Sequence, residues 1–327
     1  MHVSGPAAGR RRRRNSRLGR RRGRRPGLGR PRPGDEPGEG RLPGRIRHRL
    51  VRPVEPWGGH RSGEAGLRPR GLEVAVTRPA LAAFLDRPRP FRVDESEPGP
   101  GLRLLVLAPH PDDFDAAGVT LRHFHGRGCP LRLFVLSSSA NGVEDSFCVP
   151  PTPEVKAACR EEEQRRSLAF FGLAESAAGF LRLPVGRPED GGYLLDRPAS
   201  FEAVQAEALA FSPDLVLLPH GNDTNPDHRL AFRWWRRLAE GTSRPMAALL
   251  IRDPKTIDSR DDAFFPFDEE TAAWKAELLR FHRSQQERNL HRRAYGFDAR
   301  ILGVNRASAA RLGLTQPYAE AFEVDSA

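Results

Sequence analysis

The segment that decides the fold of this chain is LRLLVLA at Leu102–Ala108, followed directly by PHPDDFD at Pro109–Asp115. The first part is an apolar run of strand length, and the residues after Asp115 have the pattern of a helix that ends at glycine. A buried strand that enters a helix through a loop of histidine and aspartate predicts an α/β unit with polar side chains at the end of the strand.

The rest of the chain after this segment continues the alternation of strands and helices. We predict strands at Leu131–Leu136, Phe180–Leu183, Asp214–Leu218 and Ala247–Ile251. We predict helices at Glu154–Phe171, Ala203–Phe211, Asp227–Ala239 and Glu269–Leu290. Strands that alternate with helices at this spacing form parallel sheets with right-handed crossovers and helices on both faces. The predicted fold is a three-layer, Rossmann-like α/β domain with a mostly parallel sheet.

The N-terminal part of the chain has a different composition. Residues 1–52 carry 18 arginines and 3 acidic residues, a net charge of +15, whereas the whole chain of 327 residues carries +11. Such a segment, rich in Arg, Gly and Pro, cannot bury enough apolar surface to offset the entropy of ordering. We therefore predict a disordered leader at 1–70 and one domain at 71–327, with its core from about residue 101.

Composition also limits the cellular setting. The sequence has no positively charged start followed by an apolar run, so we expect no secretory signal. It also has no apolar stretch of 18 residues, so we expect no transmembrane helix. Cys129, Cys148 and Cys159 form no CxxC pair, which is typical of reduced thiols in a cytoplasmic protein. The leader could bind nucleic acid through its arginine runs at 10–14 and 20–25. Its only aromatic residue, Trp57, lies outside these runs and cannot supply stacking among them, so nucleic acid is the less favoured partner.

Two loops carry the residues suited to chemistry. One is Pro109–Asp115, and the other is PHGNDTNPDH at Pro219–His228, after the strand that ends at Leu218. Ligands of open parallel sheets bind beyond the carboxyl ends of the strands, where the strand order reverses. Both loops are therefore expected at the binding site. No GxGxxG sequence follows the first strand, which disfavours a dinucleotide-binding domain.

The residues of these loops predict a catalytic metal centre. His110, Asp113 and His228 supply two imidazoles and one carboxylate, the set that holds a catalytic zinc with a position left open for water. Asp112, which is not needed as a ligand, suits the role of general base. Asn225 or His220 could donate a hydrogen bond to a developing oxyanion. Zinc is the expected cofactor, although iron or cobalt accept the same ligands.

The block PHPDD with a downstream PDH resembles the LmbE-like family of zinc de-N-acetylases, also called PIG-L. The resemblance implies His110, Asp113 and His228 as zinc ligands and Asp112 as the base. Three further segments resemble the family: Arg160 with Glu163, Lys275 with His282, Ser284 and Gln285, and the ending PYAEAF. The resemblance also implies a substrate of the N-acetylglucosamine type, which is a small amino-sugar conjugate or a glycolipid. Arg160, His220 and His282 are the candidate substrate-binding residues.

One position departs from the family pattern. Asn225 stands where many members have the first histidine of an HPDH motif, which is credited with stabilising the oxyanion. Asparagine can donate a hydrogen bond but cannot carry a proton. Two alternatives therefore stand beside the hydrolase: a metal-binding scaffold with little activity, and a nucleic-acid-binding protein that acts through its leader. The sequence leaves the acyl group, the sugar, the aglycone and the oligomeric state open.

Overall fold

A computed structural model describes residues 74–326 of the chain, with side chains from Ala80 onward. The predicted leader, residues 1–70, lies outside the described residues, so the proposed division of the chain stays a prediction. Within 74–326, no helix combines the length and the apolar character needed to cross a membrane.

The described part of the chain contains one sheet and helices on both sides of it. The strands are β1 (Phe91–Arg92), β2 (Leu104–Ala108), β3 (Leu131–Val135), β4 (Ala178–Phe180), β5 (Leu215–Pro219), β6 (Ala247–Ile251), β7 (Ala263–Phe267) and β8 (Tyr318–Ser326). The helices are α1 (Val74–Leu85), α2 (Asp113–Ala116), α3 (Gly118–Gly126), α4 (Pro153–Phe171), α5 (Pro198–Phe211), α6 (Pro226–Glu240), α7 (Glu269–Arg280), α8 (Arg283–Arg293) and α9 (Phe297–Arg311).

The strand order of the sheet is β1-β7-β8-β6-β5-β2-β3-β4. Strands β2, β3 and β4 extend the sheet in one direction, and β5 and β6 extend it in the other, all in parallel. The order therefore reverses between β2 and β5, and a crevice for ligands is expected at their carboxyl ends. The two loops singled out by the sequence leave the sheet at this point.

Two apolar layers cover the two faces of the sheet. Leu104 and Val106 of β2 pack in one layer together with Phe114 and Phe124 from α2 and α3. Their neighbour Leu105 packs in the other layer, which contains Trp234 and Trp235 of α6. Burial on both faces explains why the central strands β2, β5 and β6 are continuous apolar runs without alternation. The predicted three-layer α/β fold with a mostly parallel sheet is confirmed.

The prediction of one helix over Glu269–Leu290 is wrong. The helix ends at Arg280 and a second one begins at Arg283, because His282 takes a non-helical conformation (φ −79°, ψ 63°). The His282 ring is fully buried against Asp115, with 2.5 Å between Nε2 and Oδ2. The carboxylate of Glu163 accepts hydrogen bonds from the backbone N–H and the hydroxyl of Ser284, both 2.7 Å. These contacts come from other elements of the fold, and no glycine or proline marks the break in the sequence.

The far half of the sheet was not predicted from the sequence. β8 pairs antiparallel with both β6 and β7, and the two-residue strand β1 adds to β7 in parallel. β8 extends the sheet from β6, so its pairing depends on a neighbour that is remote in sequence. Propensity and periodicity along a single segment do not report such a pairing.

Candidate metal centre

The loop after β2 and the first turn of α6 meet at the point where the strand order reverses. His110 follows β2 closely, and Asp113 begins α2. His228 lies in the first turn of α6, whose N-terminus is capped by Asn225 and has Pro226 at the first helical position. Asparagine at the cap and proline after it are strong signals for a helix start. This local signal fixes the direction in which the His228 side chain leaves the helix.

Three side chains of the ligand type converge here. His110 Nδ1 lies 3.4 Å from Asp113 Oδ2, and His228 Nε2 lies 3.6 Å from Asp113 Oδ1. All three residues are buried, and one ligand atom from each lies within 4.8 Å of the others. The buried Nε2 of His228 has no hydrogen-bond partner among the described residues. A buried polar atom without a partner is costly, and a metal ion at this position would satisfy it.

Each of the two histidines has a carboxylate on its other ring nitrogen. His110 Nε2 and Asp227 Oδ2 are 2.8 Å apart, and His228 Nδ1 and Asp223 Oδ2 are 3.1 Å apart. Metal-binding histidines commonly donate their second N–H to a carboxylate, which fixes the tautomer and the orientation of the ring. Neither role was predicted from the sequence, although Asp227 stands beside His228 in the PDH motif and Asp223 lies in the same loop.

The charges of this cluster shift the pKa values of its members. Burial disfavours a charged His110, but the hydrogen bonds with Asp113 and Asp227 outweigh burial and raise the pKa of His110 to about 9. Burial favours a neutral Asp113, but His228 and His110 outweigh it and hold the pKa of Asp113 well below its ordinary value. Burial raises the pKa of Asp223, but the hydrogen bond and the charge of His228 outweigh burial, so that this pKa is also lowered. The cluster therefore keeps its carboxylates anionic, and a metal ion that binds His110 would displace the proton that the ring holds in the metal-free protein.

Asp223, His228 and Asp253 form a second group that could hold a cation. This group contains the same histidine, and Asp223 is already in hydrogen-bond contact with its Nδ1. The nitrogen without a partner, Nε2, lies on the side of Asp113. The group of His110, Asp113 and His228 is therefore the better candidate.

Asp112 lies beside this group in an unusual conformation. Its φ angle is 114°, in the left-handed region that non-glycine residues rarely adopt. The backbone N–H of Asp112 donates to Gln164 Oε1 at 3.0 Å, and its Oδ2 accepts from both terminal nitrogens of Arg160 at 3.3 Å. Arg160 is only 2% exposed and also donates to the carbonyl of Pro111. α4 thus fixes both the backbone and the carboxylate of Asp112.

The side chains of Asp112, Asp113, His110 and Asn225 open onto a common cleft of about 330 Å³. Its lining includes His110, Asp112, Asp113, Arg160 and Asn225. The Asn225 Oδ1 accepts the N–H of Asp227 at 3.0 Å as the cap of α6. No side chain or carbonyl of the described residues accepts a hydrogen bond from the Asn225 amide nitrogen, which is therefore free to donate to a ligand.

The structure does not bring His220 and His282 to the cleft. His220 Nε2 contacts Glu323 of β8 at 3.1 Å, and its Nδ1 accepts from the backbone of Asn222 at 2.9 Å. His282 has no exposed surface and contacts Asp115. Carboxylates of the scaffold therefore contact both rings, and the buried Nδ1 of His282 has no hydrogen-bond partner among the described residues. Of the three candidate substrate-binding residues, only Arg160 lines the cleft.

One known family matches this chain. The model of the family described as GlcNAc-PI de-N-acetylase, PIG-L, matches residues 105–239, which contain His110, Asp112, Asp113, Asn225 and His228. The resemblance to the PIG-L family is thereby confirmed. The match supports a hydrolytic deacetylase. No protein of curated function matches the chain.

Solved structures show the same fold at low sequence identity. The N,N'-diacetylchitobiose deacetylase from Pyrococcus horikoshii aligns with a TM-score of 0.57 and 16% identity, over 76% of this chain and 90% of its own. A deacetylase of teicoplanin biosynthesis aligns with a TM-score of 0.53 and 16% identity, over 69% and 98%. The 4-carboxy-2-hydroxymuconate hydratase GalB from Pseudomonas putida aligns with a TM-score of 0.52 and 20% identity, over 68% and 96%. A hydratase among these neighbours means that the fold alone does not decide the reaction.

Proposed function

We propose that this protein is a zinc-dependent hydrolase that removes an N-acyl group, acetyl above all, from an N-acetylglucosamine-type conjugate. The observation that carries the proposal is that His110, Asp113 and His228 converge and that the buried Nε2 of His228 has no hydrogen-bond partner among the described residues. The carboxylate of Asp112 opens onto the same cleft. The PIG-L match over these residues supports the same reaction class.

His110, Asp113 and His228 would hold the ion. When bound, zinc supplies a Lewis acid that acidifies water and polarises the amide carbonyl. Two imidazole nitrogens and one carboxylate are the ligand set of catalytic zinc sites that keep a position open for water. Asp227 and Asp223 orient the two rings through the hydrogen bonds already described.

Asp112 accepts a proton from the attacking water and passes it to the nitrogen of the amide, so that acetate and a free amine leave. Arg160 positions the Asp112 carboxylate, and Gln164 holds its backbone in the strained conformation. The amide nitrogen of Asn225 donates a hydrogen bond to the oxygen of the tetrahedral intermediate. The partner is a small amino-sugar conjugate, or the headgroup of a glycolipid with the same sugar.

The test measures bound metal and released acetate in the full-length protein and in the Asp112→Asn variant. We expect equal zinc content in both proteins and a loss of roughly 10²- to 10⁴-fold in acetate release in the variant, the usual contribution of a general base. The control is Asp190→Asn, an exposed aspartate outside the cleft, which should leave both quantities unchanged.

Two results would count against the proposal. Zinc bound without acetate release from any N-acyl amino sugar would favour the metal-binding scaffold. A protein that binds no zinc, or an Asp112→Asn variant as active as the parent, would exclude a zinc mechanism with Asp112 as its base.

A further inference from the structure

The end of the cleft formed by α8 and α9 is lined by guanidinium groups. Arg288, Arg292 and Arg293 of α8 and Arg300 of α9 line the same cleft as the candidate metal ligands His110 and Asp113. Arg288 and Arg292 are one helical turn apart and lie on the same face of α8. Arg293, in the last turn of the helix, also lines the cleft. A ligand that fills the cleft therefore contacts the candidate metal centre and this cationic side.

Most of these charges lack a carboxylate partner. Arg292 forms an ion pair with Glu144 at 3.3 Å. Arg288 donates to a neutral acceptor, the carbonyl of Gly142, at 3.3 Å. Among the side chains described, from Ala80 to Ser326, none forms an ion pair with Arg293 or Arg300. Three guanidinium groups thus face the cleft without a counter-charge in contact.

The mutual repulsion of these cations affects their pKa values. Burial lowers the pKa of the half-buried Arg288, and the nearby charges of Arg292, Arg160 and Arg293 lower it further. Burial also lowers the pKa of Arg300. The charge of Arg293 lowers this pKa further, whereas the charges of Asp253 and Asp112 raise it. Cations that repel one another in a partly buried cleft gain free energy when an anion binds between them.

A role in helix stability explains only some of the arginines that line the cleft. Arg292 and Arg293 lie in the last turn of α8, where a positive charge interacts favourably with the helix dipole. Arg300 is the fourth residue of α9, near the helix N-terminus, where the same dipole disfavours a cation. Its half-buried place in the cleft therefore has no explanation in helix stability.

We propose that Arg288, Arg293 and Arg300 form an anion subsite, which binds a phosphate or carboxylate group on the part of the conjugate beyond the N-acyl sugar. Guanidinium groups bind both kinds of oxyanion through paired hydrogen bonds. The assignment of the anion to a sugar conjugate rests on the proposed function, whereas binding of a free oxyanion does not.

The first test measures the binding of inorganic phosphate to the full-length, metal-loaded protein by calorimetry. The test variant is Arg293→Gln with Arg300→Gln, and the matched control is Arg283→Gln, an exposed arginine on α8 outside the cleft. We expect about a tenfold or greater loss of phosphate affinity in the double variant and none in the control. Equal phosphate affinity in the double variant and in the control would overturn the proposal.

The second test compares kcat/KM for N-acetylglucosamine 1-phosphate, the carboxymethyl glycoside and the neutral methyl glycoside of N-acetylglucosamine. We expect the parent to prefer an anionic glycoside over the neutral one, and the better of the two anions identifies the group. The double variant should lose this preference. If phosphate binds as expected but no sugar is hydrolysed, the proposed function fails and the anion subsite stands. A parent that prefers the neutral glycoside would contradict the subsite.

Discussion

His110 and Asp227 share a buried hydrogen bond of 2.8 Å between Nε2 and Oδ2. The other oxygen of Asp227 accepts the backbone N–H of Leu194 at 2.8 Å, so the carboxylate is held from two sides. His110 follows β2 and Asp227 lies in the first turn of α6, on opposite sides of the reversal in strand order. This contact joins the two loops of the site and directs the Nδ1 of His110 toward Asp113.

We expect Asp227→Asn to weaken zinc binding by roughly 10- to 100-fold, the usual effect of losing the carboxylate behind a metal-binding histidine. The reason is that an amide does not hold the imidazole in the donating tautomer as a carboxylate does. The measurement is zinc affinity by competition with a chelator. Asp190→Asn, an exposed substitution of the same kind, is the control. An unchanged affinity in Asp227→Asn would show that this contact does not orient a ligand.

The metal-free protein should lose stability as the pH rises through about 9. The folded-state pKa of His110 is raised to about 9, above its ordinary value of 6.5, so its stabilising effect is complete below pH 6.5 and disappears above pH 9. We expect a loss of roughly 2–3 kcal/mol in the free energy of unfolding from this group between pH 6 and pH 9.5.

Urea denaturation of the metal-free parent and of His110→Gln at both pH values measures this effect. The variant should show a smaller decrease in the free energy of unfolding with pH than the parent. Equal decreases in the two proteins would assign the pH dependence to other groups.

The role of Asn225 can be separated from its role as a helix cap. Asn225→Asp keeps an oxygen for the N–H of Asp227 but removes the amide donor and adds a negative charge beside the oxyanion. We expect a loss of acetate release of about 10²- to 10³-fold with little change in stability. The Asn225→Ala variant removes both roles and should also lose about 1 kcal/mol of stability. Full activity in Asn225→Asp would remove Asn225 from the mechanism.

Glu163 should stabilise the break between α7 and α8. Its buried carboxylate accepts the N–H and the hydroxyl of Ser284, so Glu163→Gln replaces a charged acceptor by an amide that can accept only one of them well. We expect a loss of about 1–3 kcal/mol in the free energy of unfolding. Glu162→Gln, on the exposed side of the same helix, should cost less than about 0.5 kcal/mol. Similar losses in both variants would contradict this role.

The sequence predicts the parts of the fold that depend on local patterns. Strands β2, β5 and β6 are continuous apolar runs, and α6 begins with the strong signal Asn225-Pro226. The strand predicted at Phe180–Leu183 lies at Ala178–Phe180, where the apolar pattern is weak. The break at His282 depends on Asp115 and Glu163, which are more than a hundred residues away in sequence. No local pattern reports contacts of this kind.

The same distinction applies to the candidate site. His110, Asp112, Asp113 and His228 are visible in the sequence because they share two short motifs, and the structure brings them together. The carboxylate behind His110 and the arginines of α8 and α9 become part of the site only through the packing of remote helices. His220 and His282 have the chemistry of site residues in the sequence, but carboxylates of the scaffold bind both rings.

Removal and return of the metal tests the central claim most directly. The full-length protein is treated with a chelator, and acetate release from an N-acetylglucosamine conjugate is measured before treatment, after it, and after one equivalent of zinc is added. We expect one zinc per chain, loss of acetate release with the metal, and recovery when zinc returns. Acetate release that continues unchanged in the metal-free protein would contradict a zinc-dependent hydrolase.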